Sequence, residues 1–220
     1  MYFHTNWYGP VEMTPATALM SRTRLLEAGS TVIRAKGYTA TTVDDICAEA
    51  GVTKGSFFHH FKSKEDLVLG AVAHWNQWTE AVFAGADYRK LDDPLQRVLG
   101  YVDFRSAMLD RAVPEFTCFL GTLVQETYTT HPAVRAACDH GMSAHIAGLT
   151  RDLEAARTLY APKADWSAES VGYFIQAVLQ GSFIFAKAKD NAAVARQNLA
   201  HLKRYLLSLF PTPSPRRKEK

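Results

Sequence analysis

A basic stretch without carboxylates is the part of this sequence best suited to binding anions. Residues 50–64 contain no Asp or Glu. They contain five Lys or His side chains: Lys54, His59, His60, Lys62 and Lys64. Lys and His donate hydrogen bonds to phosphate oxygens, and Lys also donates to O6 and N7 of guanine. The stretch therefore indicates recognition of a polyanion through hydrogen bonds.

Two short helices joined by a tight turn would present this basic stretch. Val43, Ile46 and Ala50 have the spacing of one buried helix face. Gly51 follows at the position where a left-handed residue ends a helix, a conformation that Gly adopts at the least cost. Thr53 is a good N-cap for the next helix. The pattern predicts a helix-turn-helix motif over residues 42–61, and its second helix is the one without acids.

The segment 41–67 closely resembles the DNA-binding domain of the TetR family of bacterial transcriptional regulators. The family pattern is roughly T-x-x-x-I-A-x-x-A-G-V-[ST]-x-G-x-x-Y-x-H-F-x-x-K-x-x-L. This chain supplies the following residues of it: Thr42, Ile46, Ala50, Gly51, Val52, Thr53, Gly55, His60, Phe61, Lys64 and Leu67. Two positions depart from the pattern. Cys47 replaces Ala, and Phe58 replaces a Tyr whose hydroxyl bonds a DNA phosphate in the family.

The resemblance and helix geometry together predict the DNA contacts. Four residues in the first turn of the second helix are expected to face base edges or phosphates: Thr53, Lys54, Gly55 and Ser56. Three residues further on are expected to reach phosphates: His59, His60 and Lys64. Thr42 begins the first helix of the motif, where its hydroxyl suits a phosphate. Phe58 is expected to pack against the sugar-phosphate backbone without the family's hydroxyl contact.

Length and composition are those of an ordinary globular protein. The chain has 220 residues, of which 47% are hydrophobic and 21% charged, enough for a sizeable core. No apolar run approaches the roughly 20 residues of a membrane helix, and the first residues do not have the pattern of a signal peptide. Three cysteines without a close pair favour the reducing cytoplasm. We expect a cytoplasmic protein without a membrane partner.

The apolar periodicity predicts an all-α protein. Its predicted divisions are a disordered leader at 1–15, a three-helix DNA-binding domain at 16–62, a larger helical domain at 63–210 and a disordered tail at 211–220. After the motif, helices are predicted to start near Ser63, Asp93, Pro114, Pro132, Trp166 and Ala192. Translation starts at either Met1 or Met13, and the sequence leaves this choice open.

The resemblance implies that the larger domain dimerises and holds a small-molecule effector. Polar and aromatic residues within its apolar stripes are the candidates for the effector pocket: Phe104, Met108, Cys118, Phe119, Gln125, His145, Phe174 and Gln176. Arg105 and the other arginines of this region are assigned to solvated helix faces. We therefore expect an uncharged or weakly polar, largely apolar effector.

Small residues in the predicted helix 166–189 suggest a close approach between helices. They are Gly172, Ala177, Gly181 and Ala188. With the preceding helix at 132–160, they could form a four-helix bundle across a two-fold axis, as the resemblance implies. The alternative is ordinary packing within one chain.

The cysteines leave two further interpretations open. Cys118, predicted in mid-helix among apolar residues, is either a small buried hydrophobe or an electrophile or redox sensor, and no neighbouring Lys or Arg in the sequence supports the sensor. Cys138 and His145 share a helix face, but a metal site would need two more ligands. We expect no metal and no cofactor.

The sequence predicts a regulator rather than an enzyme. It contains no Walker loop, no G-x-S-x-G elbow and no G-x-G-x-x-G loop. The function predicted is a homodimeric, ligand-responsive repressor on a pseudo-palindromic double-stranded operator. The alternative is a helical DNA-associated module without an effector. A pocket with polar residues would favour the first, and a fully packed second domain would favour the alternative.

Overall fold

The computed structural model describes residues 15–210, with side chains from residue 19 onward. Within these residues the chain forms ten α-helices, two short 3-10 helices and no strand. The α-helices are α1 (Pro15–Lys36), α2 (Val43–Ala50), α3 (Lys54–His60), α4 (Lys64–Ala84), α5 (Pro94–Ala107), α6 (Val113–Phe116), α7 (Phe119–Thr127), α8 (Pro132–Tyr160), α9 (Ala168–Lys189) and α10 (Ala193–Leu209). The 3-10 helices are Asp87–Lys90 and Met108–Asp110. Residues 1–14 of the predicted leader and the predicted tail lie outside the described residues.

Local signals in the sequence set the helix-turn-helix. The Thr42 side chain caps α2 in a reciprocal capping box with Asp45. Gly51 ends α2 in the left-handed conformation, with φ 61° and ψ 42°, as the sequence predicted. Thr53 caps α3, and its Oγ1 accepts a hydrogen bond of 3.2 Å from the backbone N–H of Ser56. The caps and the turn that define these two helices therefore all lie within about 20 residues of sequence. Helices this short are marginal alone, and packing against α1 and α4 stabilises them.

The segment from Pro114 differs from the single helix that its apolar spacing predicted. The four-residue α6 ends at Thr117, whose backbone is extended. Cys118 then begins a new helix, because its Sγ accepts a hydrogen bond of 3.4 Å from the backbone N–H of Gly121. The break lets the short α6 pack on α1 and α9 while α7 packs on α8.

Two large clusters of buried apolar side chains form most of the core. The first joins α1–α4 to residues of α7 and α8, including Phe119, Leu123 and Cys138. The second lies among the helices from the end of α4 to α10. Helices α1–α4 therefore share a core with α7 and α8. No helix in the described part of the chain is long and apolar enough to cross a membrane.

Candidate nucleic-acid interface and effector cavity

The first turn of α3 presents polar groups to solvent. Thr53, Lys54 and Gly55 are exposed there. Phe58 and His59, one turn further along, are also exposed. This surface has the form of a recognition helix, in which the N-terminal residues approach base edges and the next turn approaches the backbone.

Lys54 is held by a carboxylate of the neighbouring helix. Its Nζ lies 2.8 Å from Asp44 Oδ1, and both side chains are exposed. The hydrogen bond with Asp44 raises the pKa of Lys54. The Lys54 ammonium is therefore exposed but already paired with a carboxylate. The absence of acids from residues 50–64 concealed this pair, since Asp44 lies in the preceding helix.

Three of the predicted DNA contacts face the protein instead. Ser56 Oγ and His60 Nε2 are buried and have no hydrogen-bond partner among the described residues. Burial also lowers the pKa of His60. Lys64 Nζ donates hydrogen bonds of 2.9 Å to the backbone carbonyls of Tyr38 and Thr41. Lys64 is therefore a brace between α4 and the loop before α2, in contrast to the phosphate contact predicted.

Thr42 is also bonded within the protein, whereas Lys62 is exposed to solvent. The Thr42 hydroxyl donates to Asp45 Oδ2 at 2.6 Å, so its hydrogen already has an acceptor within the capping box. Lys36 Nζ lies 2.6 Å from the same carboxylate oxygen, and its hydrogen bond holds the pKa of Asp45 well below the usual range. Lys62 is exposed directly after α3 and is a phosphate candidate that the sequence-based residue set omitted, although it lies in the acid-free run.

A cavity of about 430 Å³ lies among helices α4 to α9. Four of the predicted pocket residues line it: Met108, Cys118, His145 and Gln176. Four others do not line it: Phe104, Phe119, Gln125 and Phe174. Phe119 is fully buried in the first core cluster, and Gln125 donates to the backbone carbonyl of Gly121. Phe174 is exposed and contacts Tyr205 of α10, and the Phe104 ring packs against Phe83.

A row of neutral polar side chains crosses the cavity wall. Gln176 Nε2 donates to the Tyr101 hydroxyl oxygen at 2.7 Å, and that oxygen lies 2.9 Å from His145 Nε2. Burial raises the pKa of Tyr101. Burial, followed by the charge of Arg105, lowers the pKa of His145 to about 4. Tyr101 and His145 are therefore both uncharged near neutral pH, and the row offers hydrogen bonds rather than charge.

Arg105 also lines the cavity, in contrast to the solvated helix face predicted for it. Its Nε is buried and has no hydrogen-bond partner among residues 15–210. The guanidinium carbon lies 5.5 Å from the ring centroid of Phe83 and 5.4 Å from that of Phe183. Apolar spacing alone missed it, because Arg105 lies one turn after the buried Tyr101 and its long side chain reaches the cavity from the edge of that face.

Cys118 lines the cavity at the start of α7. It is half-buried, and the charges of Arg34 and Lys187 interact with it electrostatically. The mid-helix position predicted for Cys118 is therefore wrong, because Cys118 is the N-cap of α7, and both cations that interact with it lie far away in the sequence. Cys138, by contrast, is fully buried, and burial raises the pKa of its thiol to about 12. The described residues contain no group of three or more His, Cys, Asp or Glu that could hold a metal ion.

Hydrogen bonds join the segment α6–α7 beside the cavity to α1 and to the loop before α2. Arg34, near the end of α1, donates to the backbone carbonyl of Glu115 at 2.9 Å and lies over the ring of Trp75. The Glu126 carboxylate of α7 accepts from the backbone N–H groups of Tyr38 at 3.1 Å and Thr39 at 2.8 Å. Both helices therefore border the cavity, while α6 is bonded to the end of α1 and α7 to the loop that leads into α2.

Two protein-family models match the chain. The model described as "Bacterial regulatory proteins, tetR family" matches residues 25–71, which include α2 and α3. The model described as "Tetracyclin repressor-like, C-terminal domain" matches residues 94–202, from the start of α5 into α10. The chain belongs to the TetR family. As a member, it is a DNA-binding transcriptional regulator.

Several curated relatives of this TetR-family protein match it over part of its length. The HTH-type transcriptional repressor KstR2 of Mycolicibacterium smegmatis is 40% identical over 65 residues, which are 30% of this chain and 32% of that repressor. The chain thus spans about a third of the length of that relative, and 18% and 23% of the next two. An uncharacterized HTH-type regulator from the lacX 3' region of Lactococcus lactis is 25% identical over 184 residues, or 83% of this chain and 91% of that protein.

Solved structures share the fold over nearly the whole chain. The regulatory protein TetR from Rhodobacter sphaeroides superimposes with a TM-score of 0.76 at 22% identity, covering 87% of this chain and 100% of that one. The reduced form of NemR from Escherichia coli gives 0.72 at 21% identity, covering 89% and 100%. At these identities the likeness establishes the TetR architecture alone.

Proposed function

We propose that this TetR-family protein is a homodimeric repressor that leaves a pseudo-palindromic operator when a small molecule occupies the cavity. The observation that carries the proposal is the cavity of about 430 Å³, with its row of Gln176, Tyr101 and His145. A mostly apolar cavity with a few fixed polar groups is the usual form of a small-molecule site. It favours an effector-responsive regulator over the effector-free DNA-associated module that the sequence also allowed.

Helices α6 and α7 provide a route from the cavity to DNA. Phe116, Thr117 and Cys118 line the cavity, while Arg34 and Glu126 bond the same two helices to the end of α1 and the loop after it. A compound that displaces α6 from its place against the cavity would move these attachments. It acts only by preferring the displaced state, and a 100-fold loss of operator affinity needs about 2.7 kcal/mol of such preference.

The outward face of α9 is the surface proposed for the second copy. Tyr173, Ile184 and Phe185 are 50%, 52% and 53% exposed on it. A Cβ added at Gly181 would meet no atom within 4 Å, whereas Gly172 packs within the chain against Ile146 and Thr150 of α8. Large exposed apolar side chains around a small residue suit a close, self-complementary contact. Phe174 and Tyr205 extend this face to α10.

The proposal is tested by release from DNA. An operator fragment, recovered by selection, would be labelled and exposed to a library of small molecules, and compounds that free the fragment would be titrated. Gln176→Leu should leave operator affinity unchanged and raise the concentration needed for half-release about tenfold, because a buried hydrogen bond to the compound or its row is lost. Gln197→Leu, an exposed position of α10, is the matched control. If no compound frees the fragment, or if the two variants respond alike, the cavity is not an effector site.

A further inference from the structure

Arg105 places a positive charge in the cavity wall that no described residue neutralises. Within residues 15–210 it forms no ion pair, and its buried Nε has no hydrogen-bond partner. A buried donor without an acceptor is costly, and the rest of the Arg105 side chain is only half-buried. Such a group is positioned to bind an acceptor that a ligand brings into the cavity.

The guanidinium is already positioned for such an acceptor. The rings of Phe83 and Phe183 lie 5.5 Å and 5.4 Å from its central carbon, which limits its movement and leaves its N–H groups as donors. Tyr101 lies one turn before it in α5 and carries the hydrogen-bonded row. Thr79 Oγ1, also in the cavity wall, is a second buried polar atom without a partner in the described part of the chain.

The acids near the cavity do not compete for Arg105. Asp152 is paired with Arg89 and with Arg97, whose Nε lies 2.8 Å from Asp152 Oδ1. Glu80 and Glu115 also line the cavity, but both are exposed at its rim. Arg151 also lines the cavity, but it is exposed. Arg105 is therefore the half-buried cation of the cavity wall that no described acid pairs, and the polar groups of the Gln176–Tyr101–His145 row beside it are neutral.

We infer that the effector carries one carboxylate, bound by Arg105, on a largely apolar body that fills the rest of the cavity. A carboxylate matches a guanidinium in shape and in charge. A phosphate would bring close to two negative charges, which the one guanidinium of Arg105 does not balance, whereas Tyr101, His145 and Thr79 supply hydrogen bonds without charge. This inference rests on the proposed effector site and replaces the uncharged effector that the sequence predicted.

Paired acids and amides test the inference. Trp75 and Trp78 line the cavity, so their fluorescence reports occupancy. The probes are octanoate, decanoate and phenylbutyrate, each compared with its primary amide, which has the same shape without the charge. In the unaltered full-length protein the acid of at least one pair should bind 10- to 100-fold more tightly than its amide, the range of a charge-assisted hydrogen bond. If no acid binds more tightly than its amide, the inference is overturned.

Substitution of the arginine localises the effect. Arg105→Gln should remove the preference for the acid and leave binding of the amide within about twofold. Arg111→Gln, an exposed arginine that does not line the cavity, should keep the preference. An acid that binds equally well to Arg105→Gln would overturn the assignment. The comparison of acids with amides uses the unaltered protein, so it decides the question even if Arg105→Gln fails to fold.

A last measurement separates this inference from the proposed function. If acids occupy the cavity of the operator-bound protein without freeing the DNA, the result supports the carboxylate site and contradicts effector-driven release. Neutral compounds that free the DNA while no acid outbinds its amide would contradict the carboxylate site and keep the release. Release by the acids that bind best, lost in Arg105→Gln, supports both.

Discussion

At the scale of single residues, the basic side chains of the recognition region divide by what they already bond. Lys54 and Lys62 face solvent, whereas Lys64 donates to two backbone carbonyls of the loop before α2. Only an ammonium that is free to meet a phosphate releases counterions from DNA. The hydrogen bonds of these lysines, rather than their positions in the sequence, therefore indicate which of them can contact a DNA phosphate.

Lys62→Ala should weaken binding to all DNA sequences alike and reduce the slope of log affinity against log salt by about 0.9, the contribution of one phosphate contact. Lys64→Ala should leave that slope unchanged and lower the melting temperature, since it removes the two bonds that brace the loop before α2. Affinities at a series of salt concentrations, with thermal unfolding of both variants, check this. A smaller slope in Lys64→Ala with unchanged stability would restore Lys64 as a phosphate contact.

Asp44→Asn should increase operator affinity several-fold, because Lys54 no longer has to give up an ion pair to reach DNA. Asp165→Asn removes the same charge from an exposed site remote from α3 and is the control for net charge. In a Lys54→Ala background, Asp44→Asn should lose most of its effect. A gain that persists without Lys54 would mean that Asp44 acts by repelling DNA directly, and that the ion pair is incidental.

The sequence predicted these residues well where their role is local. The cap at Thr53 and the turn at Gly51 depend on neighbours within a few positions, so the residue types suffice. Lys64 and Arg105 were misassigned because their roles depend on residues far along the chain. Lys64 meets carbonyls 23 and 26 positions away, and Arg105 meets the ring of Phe183 on α9.

At the scale of elements, the break between α6 and α7 is the feature that links the two parts of the protein. The apolar spacing predicted a continuous helix from Pro114. Such a helix would not place Cys118 at the N-cap of α7, nor let α6 pack on α1 and α9 independently of α7. The starts at Ser63, Asp93 and Pro132 were predictable from caps and prolines. The break has no such signal, because Thr117 and Cys118 are weak helix formers rather than breakers.

Glu126→Gln should loosen the attachment of α7 to the loop before α2. The pKa of Glu126 lies below its usual value although burial raises it, because the backbone N–H groups of Thr39 and Tyr38 stabilise the carboxylate. The neutral amide accepts more weakly, so the amides of Tyr38 and Thr39 should exchange with solvent faster, and an effector should change operator affinity less. Glu169→Gln, an exposed acid of α9, is the control. Unchanged exchange at Tyr38 and Thr39 would remove Glu126 from the proposed route.

At the scale of the whole molecule, the proposed dimer explains a surface that a single chain leaves apolar. The outward face of α9 exposes Tyr173, Ile184 and Phe185 around Gly181. A two-fold pairing there would set the distance between two recognition helices, and half-sites on DNA must match that distance. The small residues of α9 pointed to a close contact, but only the fold separates Gly172, used within the chain, from Gly181, which faces outward.

Gly181→Glu should dissociate the dimer while the single chain stays folded. A Cβ at this position meets nothing within 4 Å, and Glu is a better helix former than Gly by several tenths of a kcal/mol. In a packed two-fold interface, however, the introduced carboxylates of the two copies would lie close together without counter-charges, which destabilises the dimer. Sedimentation would show a monomer with unchanged helical content, whereas Ala81→Glu, at an exposed site of α4, should remain dimeric. A variant that stays dimeric would place the interface elsewhere.

Selection of binding sites from a random pool of double-stranded DNA tests the central claim most directly. A dimer that reads DNA through the exposed first turn of α3 should enrich a two-fold-symmetric motif, with half-sites one helical turn or a multiple apart. The same selection with Lys54→Ala should change the preferred base at one position of each half-site. No enriched motif, or a single half-site without symmetry from the unaltered protein, would contradict the account of a dimeric, sequence-specific regulator.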